Sequence, residues 1–452
     1  MKVLVVGSGG REHAIGWKLS QSSGVDALRF APGNAGTAGL GRNIALAASD
    51  IAGIVDFVRS EGVGLVIIGP ELPLSLGLAD ALHALPPRFR PLCFGPTQAA
   101  ARIESSKAFA KDFMVRHSIP TADFRIFSVL EPALDFIRNA PWPFVIKASG
   151  LASGKGVFIP ESGSEAEDVL ISLLGEGVLG QAGREVVIEE RLEGEELSLL
   201  CFSDGKNISL MPPAQDHKRL FEGDRGPNTG GMGAIASASP ESMAFAENLG
   251  ARFLAPAIAG LAAQGSPFVG ALYAGLIFTG SGPKVLEYNC RFGDPEAEAI
   301  IPLLESDLAS ILAACAEGEL ATHPATWKPL AAAAAFAVSE TYAIQSEDPH
   351  SRAFADYGLP RGSLLFHGST RLSDSGPIAS GGRLLCAAAS APRLEEALDL
   401  AYSRLARLDL PHSRWRKDLG SGRSILRSGA RDVPGSPPPH AALSYAGSGV
   451  DI

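Results

Sequence analysis

The densest run of residue types able to do chemistry is Lys284–Glu298, K-V-L-E-Y-N-C-R-F-G-D-P-E-A-E. It begins as a strand, in which side chains two apart share a face. Val285, Glu287 and Asn289 are therefore expected on one face, alternating with Leu286 and Tyr288, and Arg291 follows them. A carboxylate beside an amide oxygen is a pair of hard ligands, suited to Mg²⁺ rather than zinc. A phosphate-bridging Mg²⁺ with an arginine alongside suits phosphoryl transfer, which needs charge neutralisation and a planar clamp. The same residues also read as a sheet edge with a solvated Glu and a turn at Gly293-Asp294-Pro295, and a short motif alone does not decide between the two.

Other segments offer phosphate chemistry. Ser105 and Ser106 precede a helix with Phe109 and Phe113 at helical spacing. Lys107 in its first turn opposes the helix dipole, which makes more sense if it faces a phosphate. Phe144–Lys147 is a strand, followed by Gly150-Leu151-Ala152-Ser153-Gly154-Lys155-Gly156 and a second strand, Val157–Ile159. This is not a P-loop, which runs into a helix. It suits a glycine-rich flap over ATP phosphates, with Lys147 and Lys155 at its two sides. Val186–Leu192 is a strand ending in carboxylates. Asp216 and Lys218 lie two apart in Q-D-H-K-R, and Thr229-Gly230-Gly231 belongs to a glycine-rich loop able to form an anion nest.

The elements that must position these groups are legible in outline. Apolar runs at Val3–Val6, Ala27–Phe30, Leu65–Ile68 and Leu92–Phe94 alternate with helical stretches such as Arg11–Leu19 and Ile51–Ser60. That pattern predicts an open parallel sheet with helices on its faces. Each run ends in a glycine turn, and ligands of such sheets bind at the strands' carboxyl ends. The first turn, Gly7-Ser8-Gly9-Gly10-Arg11, fails the dinucleotide fingerprint because position 12 is Glu12. A phosphate on the turn's backbone N–H groups and a tight turn with no ligand remain equally open. Further on, a helix is expected over about Ala297–Glu317 and another from Pro392, with Leu394, Leu398, Ala401, Leu405 and Leu408 as its core stripe. The Pro, Gly and Ser content after Arg427 reads as a disordered tail.

Composition narrows the classes. The chain has 452 residues, 46% hydrophobic and 19% charged, which predicts a globular protein of several domains. A net charge of −10 argues against non-specific nucleic-acid binding. The five cysteines form no C-x-x-C pair, so reduced thiols are expected. The chain opens directly into a strand, and the longest Ala-rich run, near Ala331–Val338, is too short to span a bilayer. A cytoplasmic protein without membrane or nucleic-acid partners, and a monomer, is expected.

Taken together the motifs resemble the phosphoribosylamine–glycine ligase (glycinamide ribonucleotide synthetase) family of the ATP-grasp superfamily. The resemblance rests on V-G-S-G-G-R-E-H, A-P-G-N-A-G-T, G-P-E-L-P-L, S-S-K-A-F-A-K-D-F, K-A-S-G-L-A-S-G-K-G-V, V-I-E-E-R-L-E-G-E-E, Q-D-H-K-R, G-P-N-T-G-G-M-G-A, E-Y-N-C-R-F-G-D-P-E and R-K-D-L-G, in family order. It implies an α/β protein, α+β in part: an N-terminal parallel-sheet domain (1–104), an ATP-grasp region (105–328) with a flap at about 120–192, a small mixed C-terminal domain (329–427) and the tail (428–452). It implies ATP and Mg²⁺ or Mn²⁺, with glycine and 5-phosphoribosylamine as substrates. Glu287 and Asn289 resemble the metal ligands. Lys107, Lys147, Gly150, Ser153, Gly154, Lys155 and Gly156 resemble the phosphate grip, and Glu189, Glu190, Leu192 and Glu196 the adenine and ribose contacts. Gly9, Gly10, Arg11, Gly33, Asn34, Pro70, Glu71, Thr229, Gly230 and Gly231 resemble the phosphoribosylamine side. Arg291, Asp216 and Lys218 resemble the catalytic set, Arg291 as the stabiliser of an acyl phosphate. One departure stands out: Glu340-Thr341-Tyr342-Ala343 occupies the place of the family's G-Y-P-type turn.

Overall fold

The computed structural model describes residues 1–140, 143–152, 155–345, 350–356, 362–379 and 381–422. Ser153, Gly154 and the tail over 428–452 lie outside the described residues.

The four N-terminal apolar runs form strands β1 (Lys2–Gly7), β2 (Ala27–Pro32), β4 (Leu65–Ile68) and β5 (Leu92–Phe94). A short β3 (Arg42–Asn43), which has no periodicity to betray it, adds an edge. All pairings are parallel in the order β3-β2-β1-β4-β5. Val3–Val6 are fully buried because helices cover both faces of the sheet, which is why the run is apolar without alternation. The helix Ile51–Glu61 shows how its ends are set. The Asp50 carboxylate accepts from the Gly53 N–H, and Gly62 closes it at φ 64°.

The flap is an antiparallel sheet of β6 (Phe124–Phe127), β7 (Phe144–Ala148), β8 (Val157–Phe158) and β9 (Val186–Glu190), in the order β6-β9-β7-β8. Two helices, Leu130–Asn139 and Gly163–Leu170, bury Ala133, Leu134 and Leu170 against Ile146 and Ile188.

A larger sheet carries the rest. Its strands are β10 (Glu195–Asp204), β11 (Ile208–Leu210), β12 (Ala214–Asp216), β15 (Gly233–Ser237), β16 (Val269–Thr279), β17 (Gly282–Asn289) and β18 (Ala331–Ser339). The ribbon β13 (Arg219–Phe221) and β14 (Arg225–Asn228) stands apart from it. The sheet runs β17-β16-β10-β12-β15-β18 and continues into Arg383–Ala391 and Ser363–His367. The C-terminal region therefore shares its sheet with the central region through the β15–β18 ladder. The Ala-rich run expected only to be too short for a membrane is β18, whose small side chains let elements pack closely on both faces.

Three details differ from the expectations. The helix over Ala297–Glu317 is broken into Glu296–Ile300, a 3₁₀ turn Ile301–Leu303 and Leu308–Glu317. Pro302 cannot continue a helix, and Asp307 starts the next one by accepting from the Ser310 N–H at 2.8 Å. The last helix begins at Leu394, and Leu408, expected at the end of its stripe, lies in a short strand, Leu408–Asp409. In β17 a bulge intervenes: Gly275 pairs with Glu287 but Leu276 with Val285, leaving Leu286 extra. Val285 therefore shares the buried core with Tyr288 instead of the face of Glu287.

Candidate active site

Glu287 and Asn289 keep regular pairing, opposite Gly275 and Tyr273, so they do share a face beyond the bulge. The bulge also turns the Leu286 carbonyl toward the Lys147 ammonium, 3.5 Å away. Burial would push the Glu287 carboxyl up, but the charges of Lys218, Lys147, Lys107 and Arg291 outweigh it and hold it below its ordinary value. Four cations thus converge on one carboxylate. Asn289 Oδ1 lies 3.4 Å from Arg291 Nη2.

Each cation is placed by its own element. Lys107 opens the helix Lys107–Arg116, where Ser106 Oγ accepts from the Phe109 N–H at 3.2 Å. Its own N–H donates to the Ser149 carbonyl at 2.8 Å, tying the helix start to the glycine loop. Burial and the neighbouring Lys147 pull its ammonium below the ordinary value. Lys147, on β7, is ion-paired with Glu189 on β9. Burial opposes its charge, yet Glu189 and Glu287 together raise it. Lys218, just after β12, pairs with Glu196 at 2.7 Å and is raised well above its ordinary value, against burial, by Glu196 and Asp216. Arg291 reaches Glu104 at 3.3 Å and Glu71 at 3.5 Å. Glu104 is pushed up by burial, whereas Glu71 is held down by Arg291 and Arg11 in spite of burial.

A second centre lies at the carboxyl ends of β1 and β2. Gly9, Gly10 and Gly33 line a cavity of about 220 Å³, closed by Asp294, Arg383 and the segment Gly368–Thr370. Arg11 and Asn34 support this centre instead of lining it. Arg11 Nε is 2.6 Å from Glu12 Oε1 and its Nη1 donates to the Phe292 carbonyl at 3.1 Å. Asn34 Nδ2 donates to the carbonyls of Ser8 at 2.9 Å and His367 at 2.8 Å. Glu12, the residue that breaks the dinucleotide fingerprint, accepts from the Gly9 N–H at 2.6 Å. A Cβ at Gly69 would sit 2.1 Å from Glu12 Oε1, which explains that glycine.

Between the centres runs the loop Thr229–Gly231. Thr229 Oγ1 donates to the Lys218 carbonyl at 2.8 Å and accepts from the Gly231 N–H at 3.0 Å. Arg383 clamps the loop to the G-D-P-E turn, donating to Gly230 O at 2.7 Å and pairing with Asp294 at 2.8 Å. Tyr342, in the segment that departs from the family pattern, accepts from the Gly230 N–H at 3.0 Å.

The remaining expected residues sit at the margins. Glu190 pairs with Lys284 at 3.1 Å and Leu192 is half-buried in the following loop. Lys155 is exposed, Gly150 donates to Ala182 O at 3.0 Å and the Gly156 carbonyl accepts from Ala148 at 2.8 Å. Pro70 caps the short helix that carries Glu71. Sequence reasoning missed several groups. Lys111 pairs with Glu189 at 2.6 Å. Glu296 accepts from Ser198 at 2.8 Å and Tyr273 at 2.9 Å beneath the Glu287 face. Arg383 and Glu104 complete the set. Asp294 and Glu296 stand inside the G-D-P-E motif and Lys111 inside S-S-K-A-F-A-K-D-F, so all three were readable there, whereas Glu104 lies outside every motif.

A metal would find hard oxygens at Glu287 and Asn289, the donor chemistry Mg²⁺ prefers. Among the described residues no group of three or more His, Cys, Asp or Glu side chains is placed to hold an ion alone, so an ion here would draw its further ligands from phosphate oxygens and water.

A glycine-flap sheet facing a carboxylate–amide strand across converging lysines defines an ATP-grasp protein. Solved biotin carboxylase domains share the fold; that of 2-oxoglutarate carboxylase from Hydrogenobacter thermophilus, described with MgADP and bicarbonate, superposes with a TM-score of 0.69 at 15% identity over 95% of each chain. Three domain descriptions of phosphoribosylglycinamide synthetase match in order: the N domain over residues 1–104, the ATP-grasp (A) domain over 105–297 and the C domain over 333–422. The chain belongs to the phosphoribosylglycinamide synthetase family. It is 44% identical to the phosphoribosylamine–glycine ligase of Allochromatium vinosum over 94% of this chain and 99% of that one. The structure of the Thermotoga maritima ligase superposes with a TM-score of 0.79 at 31% identity, covering 93% of this chain and all of that one. The chicken trifunctional purine biosynthetic protein adenosine-3 is 43% identical over the whole chain, which spans 44% of that longer protein. Among the described residues no helix is long and apolar enough to cross a membrane.

Proposed function

We propose that the chain joins glycine to 5-phosphoribosylamine at the expense of ATP, giving glycinamide ribonucleotide, ADP and phosphate through glycyl phosphate, a step of purine biosynthesis. The observation that carries this reading is the convergence of Lys107, Lys147, Lys218 and Arg291 on Glu287. Lys147, Lys218 and Arg291 are each also paired with a further carboxylate, so the uncommitted charge of the group is that of Lys107. Lys107 makes no ion pair among the described residues, which leaves its ammonium for a phosphate oxygen.

The residues divide the work. Lys107 and Lys147 hold the phosphate chain. Glu287 and Asn289 would hold Mg²⁺ or Mn²⁺, which when bound neutralises charge on the transferring phosphoryl group. Arg291, kept charged by Glu104 and Glu71, faces the oxygens on which charge develops. Lys218 and Asp216 stand on the side from which the amine approaches. The cavity lined by Gly9, Gly10, Gly33 and Arg383, at the start of the helix Gly10–Leu19, would take the ribose phosphate. The relatives' names favour glycine as the acceptor over bicarbonate or formate, the co-substrates of other ATP-grasp enzymes. A nucleotide-binding regulator without turnover is the reading from another class.

The test is ADP release with ATP·Mg²⁺, glycine and freshly generated phosphoribosylamine, each omitted in turn. Release that needs both glycine and the amine is expected. Release supported by bicarbonate or formate instead, or no turnover with tight nucleotide binding, would replace this reading.

A further inference from the structure

Lys111 lies one turn beyond Lys107 on the same helix, so both ammoniums project to one side. Lys111 reaches deeper. Its Nζ is 2.6 Å from Glu189 Oε2 and 2.7 Å from Thr121 Oγ1. The other oxygen of Glu189 pairs with Lys147. The side chains of Lys111, Glu189 and Lys147 are only 3%, 2% and 9% exposed, so this is an interior lysine–carboxylate–lysine bridge. Thr121 Oγ1 in turn donates to the Val285 carbonyl at 2.7 Å, at the bulge that aims Glu287. One continuous polar chain therefore runs from the flap strands β7 and β9, through the helix, to the strand that carries Glu287 and Asn289.

Burying three charged groups is costly unless each is paired and oriented. The Glu189 carboxylate has two oxygens and each meets a lysine. With both occupied, the carboxylate is fixed in one orientation, and Lys147 is held between it and the Glu287 side. Burial draws the Lys111 ammonium down to about 8 even beside Glu189, as expected for a group with no route to solvent. Without Lys111, Glu189 would be free to rotate about the Lys147 ammonium, and β9 would lose its tie to Val285.

We propose that Lys111 is a positioning residue: it locks Glu189 as the counter-ion of Lys147, and so sets where the Lys147 ammonium meets the nucleotide phosphates. Glu189 then acts through Lys147 and not as a direct contact to adenine or ribose. The inference rests on the nucleotide half of the proposed function and not on the identity of the acceptor.

The experiment measures ATP·Mg²⁺ affinity by calorimetry, without glycine or amine, alongside full turnover and melting temperature. Lys111→Met is expected to weaken ATP·Mg²⁺ binding by about tenfold, near 1.4 kcal/mol, and to lower kcat as well. Lys111→Arg should restore much of both. Glu189→Gln combined with Lys111→Met should lose less than the two single losses added, since both act through Lys147. Thr121→Val, which removes only the anchor, should weaken binding by a smaller factor and decides the matter if Lys111→Met fails to fold. Unchanged affinity in folded Lys111→Met, or in Thr121→Val where that variant decides, would overturn the inference, as would strictly additive losses. If the wild type binds ATP·Mg²⁺ but shows no glycine-dependent turnover, the acceptor reading falls and the affinity comparison still judges Lys111.

Discussion

The Lys218 ammonium lies 2.7 Å from Glu196 Oε2, which joins a residue expected in the catalytic set to one expected among the adenine and ribose contacts. Gln215 steadies the pair by donating to Glu195 Oε1 at 2.7 Å and to the Glu196 carbonyl at 2.9 Å. On the proposed reading, the pair lies between the two substrates. Lys218→Met should lower glycine-dependent ADP release by on the order of 10². Glu196→Gln, which leaves the lysine charged, should cost less. The melting temperature should barely move in either, because both side chains are more than a third exposed and such pairs stabilise little. Equal turnover in Lys218→Met and wild type would remove Lys218 from the site.

Glu287→Gln keeps shape and one oxygen but removes the charge on which four cations converge. Turnover should fall by about 10²–10³, since an anionic metal ligand matters most as the phosphoryl group moves. ATP affinity should fall less, because Lys107 and Lys147 remain. Near-normal turnover at limiting Mg²⁺ would show that Glu287 is no metal ligand.

Gly231 has φ +110°, and a Cβ there would sit 2.4 Å from Pro295 Cδ. Proline cannot swing aside as a flexible side chain can. Gly231→Ala should therefore destabilise by about 1–3 kcal/mol and push the Thr229–Gly231 loop away from the G-D-P-E turn, lowering turnover as well. Urea unfolding gives the first effect and ADP release the second; a variant as stable and as active as the wild type would contradict both.

Two histidines, His13 buried and His367 half-buried, join the N-terminal and C-terminal regions. The His367 N–H donates to His13 Nδ1 at 2.8 Å. Burial lowers His13 from 6.5 to about 3 and His367 to about 4, so both are neutral when folded. Below pH 6.5 the unfolded chain takes up protons that the folded chain refuses. Stability should therefore decline as pH falls from about 6.5 toward about 4, by up to about 1.4 kcal/mol per pH unit for each histidine. His13→Gln should be less stable at pH 7 yet lose less between pH 7 and pH 5. Urea midpoints at the two pH values check this; parallel losses in both proteins would clear His13 of the effect.

The sequence by itself determined the parallel N-terminal sheet, the glycine turns at its strand ends and the pairing of Glu287 with Asn289 on one face. These follow from patterns within a few residues: apolar runs, glycines that open turns, and the two-residue period of a strand. The spacing of motifs in family order also carried the family. Tertiary structure alone decided the rest. The bulge at Leu286 depends on how β17 pairs with β16, so Val285 left the face that strict alternation assigned to it. Pro302 was visible as a breaker, but Asp307 became a cap only because the next helix starts there. Lys111 looked like one more charge on a helix until Glu189, far along the chain, was brought beneath it. An ion pair between distant residues is fixed by topology and burial, and neither leaves a mark in the residues on either side.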